Sequence, residues 1–265
     1  MDPPTKEELN RCIIKMQRYK AAGPDDLSPA LFKDGGELLI DHLQKVYRLV
    51  WDTEAVPASW GAATIVPLYK KGRRDDCSNH RGVSLTPVVT RILGALLVNR
   101  LRESRELQIR EQQAGFRPGR GCIDQIFTLR RILEHRSVFR RPTVSIFLDF
   151  KGAFDSVDRK ALFETLLRKG VPLKYVNILR SLYAQSVGNV RAYNELSETF
   201  YTNSGVRQGC TASPFLFNFV IDVIMESALE GLDDVGIDIG EGRKLADLEY
   251  ADDIVLLFQD LNRAQ

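Results

Sequence analysis

The amino-acid sequence predicts a mixed α/β fold, in which helices and an antiparallel sheet are built from one chain of 265 residues. Three observations predict this class. Segments with helical periodicity alternate with short apolar segments, Gly- and Pro-rich turns separate them, and two apolar strands meet at a tight turn near residue 252. The composition, 44% hydrophobic and 27% charged, is that of a folded protein and excludes a disordered or fibrous one.

Each element follows from its local pattern. Apolar residues three or four positions apart predict helices at 5–19, 38–51, 87–101, 123–135, 159–169, 175–183 and 215–229. Short apolar segments predict strands at 62–68, at 143–150, within 189–202 and in a hairpin at 248–258. Thr5 is the expected N-cap of the first helix, and Gly170 is expected to end the helix at 159–169. No segment has the roughly 20 apolar residues that cross a bilayer, so we expect no membrane partner.

Charge is distributed unevenly along the chain. Residues 60–141 carry 17 Lys and Arg against 7 Asp and Glu, although the net charge of the whole chain is only +2. Such a segment predicts a surface for a polyanion, and a solvated charged surface is an equally good explanation. The remainder is acidic and admits a cation site. We expect a boundary between two lobes near Pro142, where the basic segment ends. Four scattered cysteines favour a reducing, intracellular compartment over a disulfide framework.

Three acidic residues carry the strongest chemical signal. Asp252 and Asp253 lie in the turn of the predicted 248–258 hairpin, and Asp149 ends the apolar strand at 143–150. One acid at a turn is common, but two adjacent carboxylates between apolar strands repel each other, and a divalent cation would offset that cost. If the three meet in one sheet, they would bind hard cations such as Mg²⁺. Two such ions about 4 Å apart suit nucleotidyl transfer.

A glycine-rich loop lies between these acids along the chain. Its sequence at 205–210, GVRQGC, sets an arginine and an amide between two glycines ahead of a predicted helix. Such a loop lets a ligand approach the backbone closely, although loops of this kind are frequent.

Together these segments resemble the reverse transcriptase of non-LTR (LINE-like) retrotransposons. The similar motifs are FLDFKGAFD at 147–155, GVRQGC at 205–210 and YADD at 250–253, with KAAGPD at 20–25, NHRGVSL at 79–85 and QAGFRPGR at 113–120. The resemblance covers nearly the whole chain. It implies a right-hand polymerase with mostly fingers in 1–141 and mostly palm in 142–265, the palm being an antiparallel sheet backed by helices. Because the chain ends at Gln265, soon after the hairpin, we expect the palm to be incomplete and the thumb to be absent.

The resemblance also implies the catalytic and metal-binding residues. Asp149, Asp252 and Asp253 would be catalytic and would bind two Mg²⁺ ions, with the Phe150 carbonyl as a further ligand and Mn²⁺ as a possible substitute. Phe154 would lie under the sugar of the incoming nucleotide and exclude a ribose hydroxyl, with a place in the core as its alternative role.

The remaining implied residues contact the nucleotide and the template. Arg81 and Lys70 would neutralise the triphosphate, and Gln208 and Gly209 would lie beside the nucleotide. Arg117 and Arg120 are assigned to the template backbone, with a purely structural role on a helix surface as the alternative. Lys71 is a candidate for the same role as Lys70, and for both lysines the alternative is simple solvation of a loop.

These implications predict an RNA-directed DNA polymerase that transfers a nucleotide from a dNTP to a primer 3′-hydroxyl. Its partners would be an RNA template, a DNA primer and the dNTP. The alternative is a catalytically inactive, truncated remnant that binds nucleic acid through its basic segment. An RNA-templated RNA polymerase is a third option, which the motifs of the basic half disfavour.

Overall fold

The computed structural model describes residues 2–231, 235–240 and 242–261, and they group into two compact units. The first unit joins Met1–Glu103 to Val157–Ser213, and the second joins Ser104–Ser156 to Pro214–Gln265. Each unit therefore combines two separate stretches of the chain. The assignment of 1–141 to mostly fingers and of 142–265 to mostly palm describes functional roles, and it stays a prediction.

Eight α-helices lie in the described ranges. They are α1 Lys6–Lys15, α2 Pro29–Asp34, α3 Gly36–Thr53, α4 Val88–Glu106, α5 Cys122–Val138, α6 Arg159–Arg168, α7 Leu173–Ala184 and α8 Ser213–Leu229. All seven predicted helices are confirmed to within a few residues, and α2 is an addition. No helix among the described residues is both long and apolar enough to cross a bilayer.

Two predicted helix ends are confirmed in atomic detail. The Thr5 hydroxyl accepts a hydrogen bond from the Glu8 amide at 3.2 Å, and the Glu8 carboxylate accepts one from the Thr5 amide at 2.9 Å. This reciprocal pair satisfies two amides that the first turn of a helix leaves without partners. At the end of α6, Gly170 adopts a φ of +75° and its amide donates to the Leu167 carbonyl at 3.0 Å, which stops the helix.

The described residues contain ten strands in three sheets. They are β1 Ala62–Tyr69, β2 His80–Leu85, β3 Val144–Asp149, β4 Val187–Ala192, β5 Glu195–Leu196, β6 Phe200–Tyr201, β7 Ile237–Gly240, β8 Arg243–Leu245, β9 Asp247–Tyr250 and β10 Asp253–Phe258. The strands predicted at 62–68, 143–150, 189–202 and 248–258 are confirmed. The β2 strand and the β7–β8 hairpin are additions.

The first unit contains a five-stranded sheet and a helical core. The strand order is β2-β1-β4-β5, with β6 also paired to β4; β1 pairs antiparallel with β2 and parallel with β4. In the helical core Trp51 of α3 packs edge to face against Tyr175 of α7, with ring centroids 5.1 Å apart. Aromatic pairs in this geometry add to the stabilisation from burial alone.

The second unit contains the antiparallel sheet β3-β10-β9. Its buried cluster comprises Leu248, Val255, Leu257 and Ile237, and the helix α5 packs against it through Leu129 and Ile132. An antiparallel sheet with one face covered by a helix is what the sequence predicts for this part of the chain. Val255 and Leu257 lie two positions apart in β10, and both point into this cluster because successive side chains of a strand point to opposite faces.

Candidate active site

The candidate site is built on the β9–β10 hairpin of the second unit. Tyr250 pairs with Asp253, so only Ala251 and Asp252 connect the two strands. Ala251 adopts a φ of +58°, in the left-handed region that residues with a Cβ rarely occupy. Two-residue hairpin turns require such a conformation, because it matches the twist of the flanking strands. The turn therefore holds Asp252 at its tip and starts β10 at Asp253.

Sheet register brings two of the predicted carboxylates together. In the antiparallel pairing of β3 with β10, Asp149 lies directly opposite Asp253. Side chains opposite each other on one face have Cβ atoms about 5 Å apart, and like charges placed so are destabilising. Among the described residues no salt bridge neutralises either carboxylate, and both side chains are exposed. This end of the sheet is therefore an acidic site open to solvent.

The donor chemistry of this pair suits a hard cation, because such ions prefer carboxylate oxygens. Asp252 lies at the turn beside the pair, and Phe150 follows β3 directly. Within the described ranges, however, no three His, Cys, Asp or Glu side chains form a group that could hold a metal ion. The chain thus aligns two carboxylates by strand register, while the third lies on the turn outside the ladder.

A buried charged network, which sequence reasoning missed, lies on the other side of the hairpin. Arg110 contacts Glu249 at 2.5 Å and Asp247 at 2.8 Å, and both carboxylates are fully buried. The Arg110 amide also donates to Asp222, which pairs with Arg105 at 3.1 Å. Because one guanidinium cannot neutralise two carboxylates, burial and the neighbouring Asp247 raise the pKa of Glu249 to about 9.

This network predicts a specific pH dependence of stability. Glu249 keeps its proton in the folded protein up to about pH 9, whereas its ordinary pKa is 4.5. Between these values the folded state binds more protons than the unfolded state, so the free energy of unfolding falls as the pH rises. In Glu249→Gln we expect the free energy of unfolding to fall less between about pH 6 and about pH 8.5. Urea unfolding at the two pH values measures this difference.

The matched control for that measurement is Glu230→Gln, which changes an exposed glutamate of the same unit. The control should keep the pH profile of the unmutated chain. Parallel profiles for the unmutated chain and Glu249→Gln would show that Glu249 is ionised throughout this range.

Phe154 is packed among aromatic rings of the second unit. It is 6% exposed, stacks on Phe217 with centroids 4.6 Å apart and meets Phe116 edge to face at 6.2 Å. The alternative of a core aromatic is therefore well supported by its packing. Its predicted contact with the sugar of a nucleotide stays a prediction.

The two arginines predicted to contact the template differ in their surroundings. The Arg117 side chain is only 5% exposed, and it binds Glu106 at 2.5 Å and the carbonyls of Arg110 and Gln113. Arg120 is about one third exposed and pairs with Glu111. A phosphate would have to compete with Glu106 for Arg117, whereas Arg120 keeps a solvent-facing edge; both contacts stay predictions.

Three predicted nucleotide-binding residues meet in the first unit. The Arg81 guanidinium donates through Nε to the Gln208 side-chain oxygen at 2.9 Å, across 127 positions of sequence. The Ser84 amide donates to the Gln208 carbonyl at 2.6 Å, which ties the glycine-rich loop to β2. Gly209 follows with a φ of +100°, and a Cβ there would lie 3.1 Å from the Ser84 carbonyl oxygen. Only glycine meets both conditions without strain.

Lys70 lies at the end of β1 in the same unit. Its amide donates to the Asn79 carbonyl at 2.8 Å, which closes the connection to β2, and its side chain is exposed. The structure therefore brings Arg81 and Gln208 into contact, with Gly209 beside Ser84 of β2 and Lys70 at the end of β1.

Comparison with known proteins agrees with the resemblance of the motifs. The chain is 27% identical over 99% of its length to the "Putative 115 kDa protein in type-1 retrotransposable element R1DM" of Drosophila melanogaster. It is 27% identical over 95% of its length to the "Retrovirus-related Pol polyprotein from type-2 retrotransposable element R2DM", and 26% over 96% to the "RNA-directed DNA polymerase from mobile element jockey", both also of Drosophila melanogaster. The chain spans 24%, 23% and 27% of these three relatives.

A solved structure shows the same fold. The apo telomerase of Candida tropicalis, truncated from its C-terminal domain, matches 92% of this chain and 53% of its own, with 12% identity and a TM-score of 0.50. The predicted right-hand polymerase class is thereby confirmed. The family model described as reverse transcriptase (RNA-dependent DNA polymerase) matches residues 68–265. On this match, together with the hairpin and its motifs, the chain belongs to the reverse transcriptase family.

Proposed function

We propose that this chain catalyses RNA-directed DNA synthesis, the transfer of a nucleotide from a dNTP to the 3′-hydroxyl of a primer. The observation that carries the proposal is the strand register that sets Asp149 opposite Asp253 beside the hairpin turn. Membership of the reverse transcriptase family and similarity to a protein named as an RNA-directed DNA polymerase support the same activity.

Reverse transcriptases generally use divalent metals, and the acidic end of the sheet is where we propose that they bind. Asp149, Asp252 and Asp253, with the Phe150 carbonyl, would hold two Mg²⁺ ions, or Mn²⁺ in their place. When bound, the ions would activate the attacking hydroxyl and stabilise the leaving pyrophosphate. The chain itself supplies the fixed spacing: β3 and β10 hold two carboxylates side by side through ladder hydrogen bonds, so little reorganisation is needed before reaction.

The other residues bind and orient the substrates. Arg81, oriented by Gln208, and Lys70 would neutralise the triphosphate, since phosphoryl transfer relies mainly on positioning and charge stabilisation. Gly209 would let the nucleotide or template approach the backbone, and Phe154 would exclude a ribose hydroxyl. Arg120 would contact the backbone of the RNA template, and Arg117 would do so if it exchanges Glu106 for a phosphate.

A remnant that binds nucleic acid without catalysis is the second candidate function. One observation favours it: residues 60–141 carry 17 Lys and Arg against 7 Asp and Glu. Binding of RNA by a basic surface needs neither metal nor catalytic geometry, because release of counterions drives it.

Primer extension separates the two candidates. The unmutated chain is incubated with poly(rA), oligo(dT), dTTP and Mg²⁺, and RNA binding is measured in parallel on the same preparation. Extension of the primer supports the polymerase. RNA binding without extension at any Mg²⁺ or Mn²⁺ concentration supports the remnant.

Changing the nucleotide or the template tests the substrate assignment. UTP in place of dTTP should give little product, because the proposal is for DNA synthesis. Equal extension with UTP would favour an RNA polymerase, and extension only on poly(dA) would contradict an RNA template.

A further inference from the structure

Gln113 is a buried residue whose side chain contacts the turn of the β9–β10 hairpin. Its side chain is 0% exposed, and its Oε1 accepts a hydrogen bond from the Ala251 amide at 2.9 Å. Its Nε2 donates to the Ala251 carbonyl at 3.4 Å and to the Glu249 carboxylate at 2.9 Å. One side-chain amide thus pairs with both backbone groups of the residue that makes the turn.

Ala251 needs such a partner for a conformational reason. Its φ of +58° is one that glycine and asparagine adopt readily and alanine does not. Strained backbone conformations persist only where surrounding contacts determine them, and they often occur at functional sites. The next two residues are Asp252 and Asp253, so a turn that relaxed at Ala251 would move both carboxylates.

The side chain of Gln113 is itself held in place. Its Oε1 also accepts a hydrogen bond from the Gly115 amide at 2.7 Å, and the Gly115 carbonyl accepts one from Asn218 at 2.8 Å. A Cβ on Gly115 would lie 2.2 Å from the Ala251 nitrogen, so glycine is required for the two backbones to meet. The Ala114 amide adds a bond to the Glu249 carbonyl at 2.9 Å.

We propose that Gln113 is a positioning residue for catalysis: it fixes the backbone of Ala251 and so sets where the Asp252 and Asp253 carboxylates lie. The inference rests on the proposed polymerase function, because it assigns Gln113 a part in the same site. In this role Gln113 acts through the turn and not by contact with the substrate or with the Asp252 and Asp253 carboxylates. Small displacements of catalytic groups lower rates steeply, since reaction needs closely defined geometry.

The test uses Gln113→Met, which keeps the length of the side chain and removes its hydrogen bonds. We expect the Ala251 amide to exchange its hydrogen about tenfold faster than in the unmutated chain. In primer extension we expect kcat to fall about a hundredfold, while KM for dTTP changes less than about threefold. Gln108→Ala, an exposed glutamine of the same unit, is the matched control and should change neither quantity.

A second variant covers loss of folding. Gln113→Glu, made together with Glu249→Gln so that the number of buried carboxylates stays the same, keeps the oxygen that accepts from Ala251 and loses the donor to the Ala251 carbonyl. Its exchange rate and kcat should lie between those of the unmutated chain and Gln113→Met. A lower melting temperature in both variants with unchanged kcat and unchanged Ala251 exchange would overturn the proposal. If the unmutated chain fails to extend a primer, the polymerase function fails, and amide exchange still decides whether Gln113 holds the turn.

Discussion

Replacement of Asp149 by asparagine is expected to slow primer extension at least about a thousandfold and to leave the affinity for RNA within about twofold. The change is nearly isosteric, so the strand pairing of β3 with β10 should persist. It removes one of the two negative charges that face each other at the site. RNA affinity should survive, because phosphates are bound by Lys and Arg.

Thermal unfolding provides a readout of the same change that does not depend on activity. Without divalent cations, Asp149→Asn should unfold at the same or a slightly higher temperature, because a like-charge pair is removed. Added Mg²⁺ should stabilise the unmutated chain and not the variant, since a ligand stabilises only a state that binds it.

The control is Asp238→Asn, which removes an exposed carboxylate from β7 of the same unit. It should extend primers normally and keep the Mg²⁺ stabilisation. Full extension by Asp149→Asn would contradict the assigned role, and equal loss of RNA binding would show that synthesis and binding are not separable in the way proposed.

The second large effect is on stability. Phe154→Ala should lower the free energy of unfolding by about 3 to 5 kcal/mol, because it leaves a cavity beside Phe217 and Phe116 and removes two ring contacts. That is a large share of the roughly 5 to 15 kcal/mol available to a typical domain. Urea unfolding followed by far-UV circular dichroism, which reports on the helices of both units, measures the change.

Phe127→Ala removes a phenylalanine that is 61% exposed in the same unit, and it should cost less than about 0.5 kcal/mol. A cost as small as this for Phe154→Ala would contradict the observed packing. The milder Phe154→Leu keeps most of the volume and separates the two roles: improved use of UTP with little loss of stability would support the sugar contact.

Local sequence patterns predicted the helices and the hairpin because those depend on neighbours in the chain. The β2 strand was not predicted, since His80, Arg81 and Gly82 lack an apolar alternation and become a strand by pairing with β1. The same limit applies to the site. The acids were found from their sequence context, whereas the register that sets Asp149 opposite Asp253 depends on how distant strands pair.

The basic segment shows a second limit of sequence reasoning. Arg110 and Arg117 contribute to its positive charge, yet both bind carboxyl groups of the same unit. Arg110 binds those of Asp247 and Glu249, and Arg117 binds that of Glu106. A sum of charges along the chain does not separate such residues from those on the surface. Glu249 lies one position before the YADD motif, in a strand predicted to be apolar. Only its burial beside Asp247 and Arg110 shows that it belongs to a charged network.

The contact between Arg81 and Gln208 has a consequence for anion recognition. It uses one Nε donor of the guanidinium, and a guanidinium has five N–H donors in a rigid plane. The amide oxygen of Gln208 therefore restricts the rotamers of this long, exposed side chain. If Arg81 binds the triphosphate as proposed, part of the rotational freedom that its side chain would lose on binding is already lost on folding.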